Sequence, residues 1–153
     1  MVVPDSSFAQ SMQKNSMVKK NIRIKNHRKR DEDIIHYDIG KWLLYNRENL
    51  IRKKLIYYTY SPAGEERNVI VGANLKRKGV MKGDADYRLE FIKKDVQHTL
   101  YIEVKAGKNK LTKEQAEIFE ARKNIKNTFC IIARSLDDFI RAVDDFLKDD
   151  LIK

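Results

Sequence analysis

Only one cysteine, Cys130, stands among the 153 residues, inside the apolar run Thr128–Ala133. A single thiol can form no internal disulfide, which suits a reducing compartment. Phe129, Ile131 and Ile132 surround it with apolar side chains. That marks a buried structural thiol, because reactive thiolates sit in electropositive, accessible places. No apolar run approaches the roughly 18 residues that a membrane span needs. Met1–Gln10 lacks the basic start and long apolar middle of a signal peptide. The expectation is a soluble intracellular chain with no membrane partner, cytoplasmic or, in a eukaryote, nuclear. The patterns G-x-x-x-x-G-K-[ST], H-E-x-x-H and C-x-x-C are also missing, so neither ATP use nor structural zinc is expected. There is no internal repeat and no low-complexity tract.

What remains is a chain of one-domain size, 42% hydrophobic, with a net charge of +10 that is unevenly spread. Residues 1–30 hold eight Lys/Arg against one acid, a net +7, while the other 123 residues hold 24 basic against 21 acidic side chains, a net +3. The first 30 residues are polar and aperiodic and read as a flexible basic arm. Residues 31–153 read as the folded domain. A basic arm points to a polyanion, of which nucleic acid is the commonest; a solubilising leader is the alternative reading.

From Asp31 the apolar residues Ile34, Ile35, Ile39, Trp42 and Leu43 recur at helical spacing, with Asp31 and Glu32 in the first turn. Gly40 weakens this helix without ending it, and Asn46–Asn49 reads as a connection. Leu55–Tyr60 is β-rich and stops at Ser61-Pro62-Ala63-Gly64. Asn68–Lys78 has helical character. Asp86–Ile92 and Thr99–Lys105 read as two strands of an antiparallel hairpin joined by a polar turn. Thr112 and Gln115 fit the S/T-x-x-Q capping box of a helix carrying Ala116, Ile118 and Phe119. Thr128–Ala133 is a further buried strand. Ser135 caps a last helix whose Leu136, Phe139, Ile140, Val143, Phe146 and Leu147 form one apolar stripe. The whole is an α/β domain with a central mixed sheet flanked by helices.

The chemistry concentrates at Asp86, Glu103 and Lys105. Alternation along a strand puts Glu103 and Lys105 on one face and Val104 on the other. A hairpin turning near Asp95 and Val96 brings Asp86 back alongside Lys105. Two carboxylates a few ångströms apart raise each other's pKa unless a cation lies between them, and a hard divalent ion suits such oxygen ligands. A metal there acidifies water and offsets charge on a phosphate, while the ammonium orients the water or stabilises the phosphoryl oxygens. An E-x-K at a strand end is common, so this triplet alone does not identify the chemistry.

Three blocks occur together and in order: Gly79-Val80-Met81-Lys82-Gly83-Asp84-Ala85-Asp86, then Ile102-Glu103-Val104-Lys105, then Leu111-Thr112-Lys113-Glu114-Gln115. In this combination the chain resembles the VRR-NUC family of the PD-(D/E)XK nuclease superfamily, over about Asp31 to Leu147. The resemblance implies the restriction-endonuclease-like fold. It also implies a metal-dependent DNA endonuclease using Mg²⁺ or Mn²⁺, with Asp86, Glu103, Lys105 and Gln115 as its catalytic set. The metal ligands it implies are Asp86, Glu103 and the Val104 backbone carbonyl, with Glu32 of the leading helix as an additional carboxylate. It points to structured DNA such as junctions or flaps, and to a homodimer, because junction cutting needs two symmetry-related sites.

The chain departs from the family pattern at two places. Ala85 stands where Pro is usual, and His36 stands where the leading helix often has Gln. Asp84 competes with Asp86 as ligand; Asp86 is preferred because it leads directly into the strand. Phosphate contacts are assigned to Lys76, Arg77 and Lys78 beside the first block, and to Arg28, Lys29 and Arg30 in the arm. Other roles compete for several residues. Gln115 closes a capping box, Glu32 is a first-turn helix acid, and Tyr57, Tyr58 and Tyr60 pack on the sheet. His27, His36 and His98 are scattered and receive no metal. The competing functions are a DNA-binding module without catalysis and a defence or restriction-type nuclease.

Overall fold

A computed structural model describes residues 31–61 and 83–148. Residues 31–52 form helix α1. It carries Ile39, Leu43 and Leu50 fully into the core, at positions separated by about one or two turns. The segment Asn46–Asn49, expected as a connection, is helical. Arg47, Glu48 and Asn49 occupy the solvent side of the helix, and the Asn46 side-chain amide donates to the Trp42 carbonyl (2.9 Å). Polarity there reflects an exposed face of an amphipathic helix rather than a loop. Lys54, at φ +72°, turns the chain out of α1.

Among the described residues the sheet has four strands in sequence order: β1 (Leu55–Tyr60), β2 (Tyr87–Lys93), β3 (Val96–Val104) and β4 (Thr128–Ala133). The first two pairings are antiparallel and the last is parallel. The parallel step needs a crossover, supplied by helix α2 (Lys113–Lys123). Helix α3 (Leu136–Leu147) completes the fold. The expected α/β class with a mixed sheet and flanking helices is therefore found.

The hairpin turn lies at Lys94 and Asp95, both left-handed (φ +50° and +61°), as a two-residue type I′ turn requires. Strand β3 accordingly begins at Val96 rather than Thr99. The register runs from Lys93 opposite Val96 to Tyr87 opposite Ile102. Carried one residue further, it sets Asp86 across from Glu103, two positions from the expected partner Lys105. A turn centred one residue earlier shifts every cross-strand partner by two.

Tyr87, Leu89 and Phe91 of β2 stand opposite Ile102, Leu100 and His98 of β3, on the face that joins Phe139, Val143 and Phe146 of α3 in one core. The other face of β3 carries Thr99, Tyr101 and Glu103. Strand β4 is half-buried apart from Ala133, so Cys130 is half-buried as well, and burial pushes its thiol pKa up. Gly40, in the interior of α1, has helical neighbours on both sides, and a Cβ built on it would meet nothing within 4 Å. A glycine at such a position costs about 1 kcal/mol relative to alanine, and no steric demand within the fold explains it. No helix among the described residues is long and apolar enough to cross a membrane.

Candidate active site

Glu103 is the next-to-last residue of β3 and is completely inaccessible, a placement that a carboxylate tolerates only when paired. Its Oε1 accepts from the Lys105 ammonium (2.5 Å) and from the Gln115 side-chain amide. The shared strand face expected for Glu103 and Lys105 is thus realised as an ion pair. Its Oε2 is buried with no hydrogen bond of good geometry. Asp86 lies just before β2 and is almost fully buried; its Oδ2 accepts from the backbone N–H of Val104 (2.8 Å). One carboxylate is therefore clamped to the backbone beside the other.

Electrostatics follow from this placement. Burial raises Asp86 from 3.8 to about 6, with Glu32 and Asp84 adding to the rise and the Val104 N–H and Lys105 opposing it. Burial and then the Asp86 charge raise Glu103 from 4.5 to about 7, against the pull of Lys105 and the Asp86 backbone N–H. Two acids that resist ionising, one with an unpartnered oxygen, form a site short of positive charge.

Gln115 reaches this site because it is the N3 residue of α2. Thr112 Oγ1 accepts from the Gln115 N–H (3.2 Å), and Gln115 Oε1 accepts from the Thr112 N–H (2.9 Å), closing the capping box. The remaining Nε2 donates to Glu103, so one side chain closes the capping box and also bonds the buried carboxylate. Gly83 packs directly on this helix start. With φ +87° and a hypothetical Cβ only 2.9 Å from the Glu114 carbonyl carbon, no other residue fits without displacing the backbone. Asp84 faces elsewhere: its Oδ1 accepts from the Ala85 N–H (2.9 Å) and from Arg122 (2.6 Å), whose guanidinium lies 3.7 Å above the Tyr101 ring.

Glu32 enters from α1. Its Oε1 accepts from the Ala106 N–H (3.0 Å) and from Asn109 Nδ2 (3.1 Å), tying the helix to the loop after β3. His36, expected to hold no metal, lies one turn further along the same helix face. Its Nε2 lies 3.9 Å from Asp86 Oδ2, and its Nδ1 is 3.2 Å from the Tyr87 hydroxyl, which in turn donates to the His36 carbonyl. The signal was available: Glu32 and His36 are four apart in a helix and so share a face. Among the described residues no group of three or more His, Cys, Asp and Glu side chains is placed to hold a metal together. The donors gathered at this end of the sheet are two carboxylates and the backbone around Val104. Lys76, Arg77, Lys78, Arg28, Lys29 and Arg30 lie outside the described residues, as do the arm and the segment read as helical over Asn68–Lys78.

No family model matches the chain, and no curated protein matches it. Among solved structures, one described as a "VRR_NUC domain protein" shares its fold, with a TM-score of 0.52 and 23% identity, over 76% of this chain and 88% of that one. Gly83–Asp86, the described part of the first block, thus meets the second and third blocks at one end of the sheet, within a fold of the kind their combination suggested.

Proposed function

We propose that the chain is a metal-dependent DNA nuclease that hydrolyses phosphodiester bonds at the Asp86–Glu103–Lys105 site. The observation that carries this reading is the buried acid pair: Glu103 has an oxygen without a partner, Asp86 lies beside it, and the Lys105 ammonium is held against it. A hard divalent cation such as Mg²⁺ or Mn²⁺ suits this donor set, since Mg²⁺ commonly binds through one or two carboxylates and keeps several waters. Asp86, Glu103 and the Val104 carbonyl would hold it, with Glu32 nearby. When bound, it supplies Lewis acidity and offsets charge on the phosphate.

The protein's own groups do the rest. Lys105, fixed by Glu103, presents a positive charge where negative charge grows on the phosphoryl oxygens. Gln115 holds the Glu103 carboxylate in one orientation, and the Val104 N–H does the same for Asp86. Water is the nucleophile, so no side chain need form a covalent intermediate. Arg28, Lys29, Arg30, Lys76, Arg77 and Lys78 supply sequence-independent phosphate contacts. Structured DNA such as junctions or flaps, cut by a homodimer, is the substrate and assembly to which the family resemblance leads.

The test is a panel of end-labelled junction, flap, duplex and single-stranded DNA, incubated with full-length protein and Mg²⁺, Mn²⁺ or EDTA. Metal-dependent cleavage of at least one substrate, lost in Asp86→Asn, is the expected result. Tight binding with no cleavage under any metal would instead identify a non-catalytic DNA-binding module.

A further inference from the structure

Between α1 and β1 a groove of about 470 Å³ opens beside the acid pair. Its walls include His36, Tyr37, Tyr58, Tyr60 and Tyr87, and Gly40 lies along its α1 side. The rings of His36, Tyr60 and Tyr87 cluster, with centroids 5.2 to 5.6 Å apart. Tyr37 is 64% exposed and Tyr60 38% exposed, so both offer ring surface to the solvent. The Lys41 ammonium sits 4.4 Å from the Tyr37 ring centre.

Three features together specify an occupant. The first is shape: aromatic side chains line the groove and suit a flat heteroaromatic ring that stacks against them. The second is Gly40. It is unfavourable in a helix interior, and nothing within the fold would collide with a larger side chain there, but such a side chain would project into the groove. The third is continuity. His36 lines the groove and also faces Asp86 at 3.9 Å, while Tyr87 follows Asp86 in the chain, so the groove starts where the acid pair ends.

We infer that this groove holds an unpaired nucleobase next to the phosphate that is cut, so that the substrate carries an unpaired nucleotide at the cleavage position. The inference rests on the nuclease reading and narrows its substrate class. Bases inside a continuous duplex are stacked and out of reach, and extracting one is least unfavourable where it is already unpaired. Stacking on aromatic side chains tolerates any base, so sequence preference is weak.

The experiment uses full-length protein in EDTA, which stops turnover, and single-stranded and duplex oligonucleotides containing 2-aminopurine. Wild-type protein quenches the single-strand probe on binding, because the base stacks. Tyr60→Ala and Gly40→Leu each weaken single-strand binding roughly 5- to 150-fold and relieve the quench, with duplex affinity unchanged. Gly40→Leu melts no lower than wild type, since leucine is the better helix former, which separates groove filling from misfolding. Equal losses on both probes, or an unquenched wild-type complex, would overturn the inference. So would a change of oligomeric state in Gly40→Leu, which would assign the groove to a second copy of the chain. Parallel cleavage assays with Mn²⁺ keep the two readings apart: cleavage without quenching removes the groove alone, whereas quenching without cleavage of any substrate removes the nuclease.

Discussion

Helices α2 and α3 flank the same sheet but are held by different forces. Helix α3 buries Phe139, Ala142, Val143 and Phe146 along one stripe. Phe139 stacks edge-on against Trp42 and Tyr87, and Phe146 packs on Phe91 and Phe129. Helix α2 buries only Gln115 and Phe119, and Ala116, expected as an apolar contact, is exposed. Its attachments are polar: the capping box and the Gln115–Glu103 bond at one end, and the Arg122–Asp84 pair at the other. Each polar attachment lands on one of the three sequence blocks. Burial therefore fixes α3 for stability, while polar bonds fix α2 to the site, so substitutions in the two regions should fail in different assays.

The largest expected effect is on the α3 side. Phe139→Ala should cost about 3–5 kcal/mol of stability, the range for truncating a buried phenylalanine. Denaturant melts would show this, while turnover per folded molecule stays near wild type. Lys105→Ala should do the reverse. It should lower turnover by about 100-fold or more, in line with removing one preorganised charge from a transition state, and leave the melt nearly unchanged. Glu103 tolerates the loss because burial already raises its pKa and removing the Lys105 charge raises it further, so it takes up a proton instead. A Lys105→Ala protein as unstable as Phe139→Ala would erase the distinction between the two regions.

A sharper contrast concerns the sign of a stability change. Asp86 and Glu103 are raised to about 6 and 7 in the folded chain, from ordinary values of 3.8 and 4.5. A carboxyl raised by folding binds its proton more tightly in the native state. Its contribution is therefore full below about pH 4 and is lost as pH climbs through 6 and 7. Without metal, the protein should become less stable between pH 4 and 8, by on the order of 3 kcal/mol for each group. Glu103→Gln removes one of the ionisations and keeps an oxygen for Lys105. It should make the metal-free protein more stable than wild type at pH 8 and abolish any Mn²⁺-induced rise in melting temperature. Thermal melts at pH 5.5 and 8, with Mn²⁺ or EDTA, check both. A wild type equally stable at the two pH values without metal would contradict the buried-acid account.

Much of this division could be read from the sequence. The α3 stripe, the β2–β3 hairpin and the α2 capping box all rest on local signals, namely a 3.6-residue period, alternation and a four-residue cap pattern. What failed depended on neighbours. The register missed by two because it hangs on which residues take the left-handed turn, and Lys94-Asp95 lacks the glycine that would have marked it. Asn46–Asn49 read as a connection because an exposed helical turn is locally indistinguishable from a polar loop. His36 went unassigned because its importance comes from Asp86, fifty residues away in sequence. Tyr57 is expected to pack on the sheet, yet β1 is an edge strand among the described residues and Tyr57 stands 51% exposed.

The smallest effect separates two residues of one capping box. Thr112→Ala removes the hydroxyl that accepts from the Gln115 N–H, while the Gln115 side chain still reaches both the Thr112 N–H and Glu103. Losing an N-cap side chain costs about 1 kcal/mol. Helix α2 has little apolar burial to offset that, yet cleavage should stay within about threefold of wild type, because the Glu103 carboxylate keeps its amide partner. Gln115→Ala removes the other half of the box, with a similar cost in stability, and also takes the amide from Glu103 Oε1. A second oxygen of that carboxylate then lies buried with fewer donors, its preference for the protonated form grows, and the pH at which cleavage reaches half its plateau should move upward. Melting curves and a pH–rate profile of both variants make the comparison. Matching stability losses with a shifted profile only in Gln115→Ala would show that α2 serves the site through one side chain. A shift of equal size in Thr112→Ala would mean that the position of the whole helix start, rather than the Gln115 amide, sets the ionisation of Glu103.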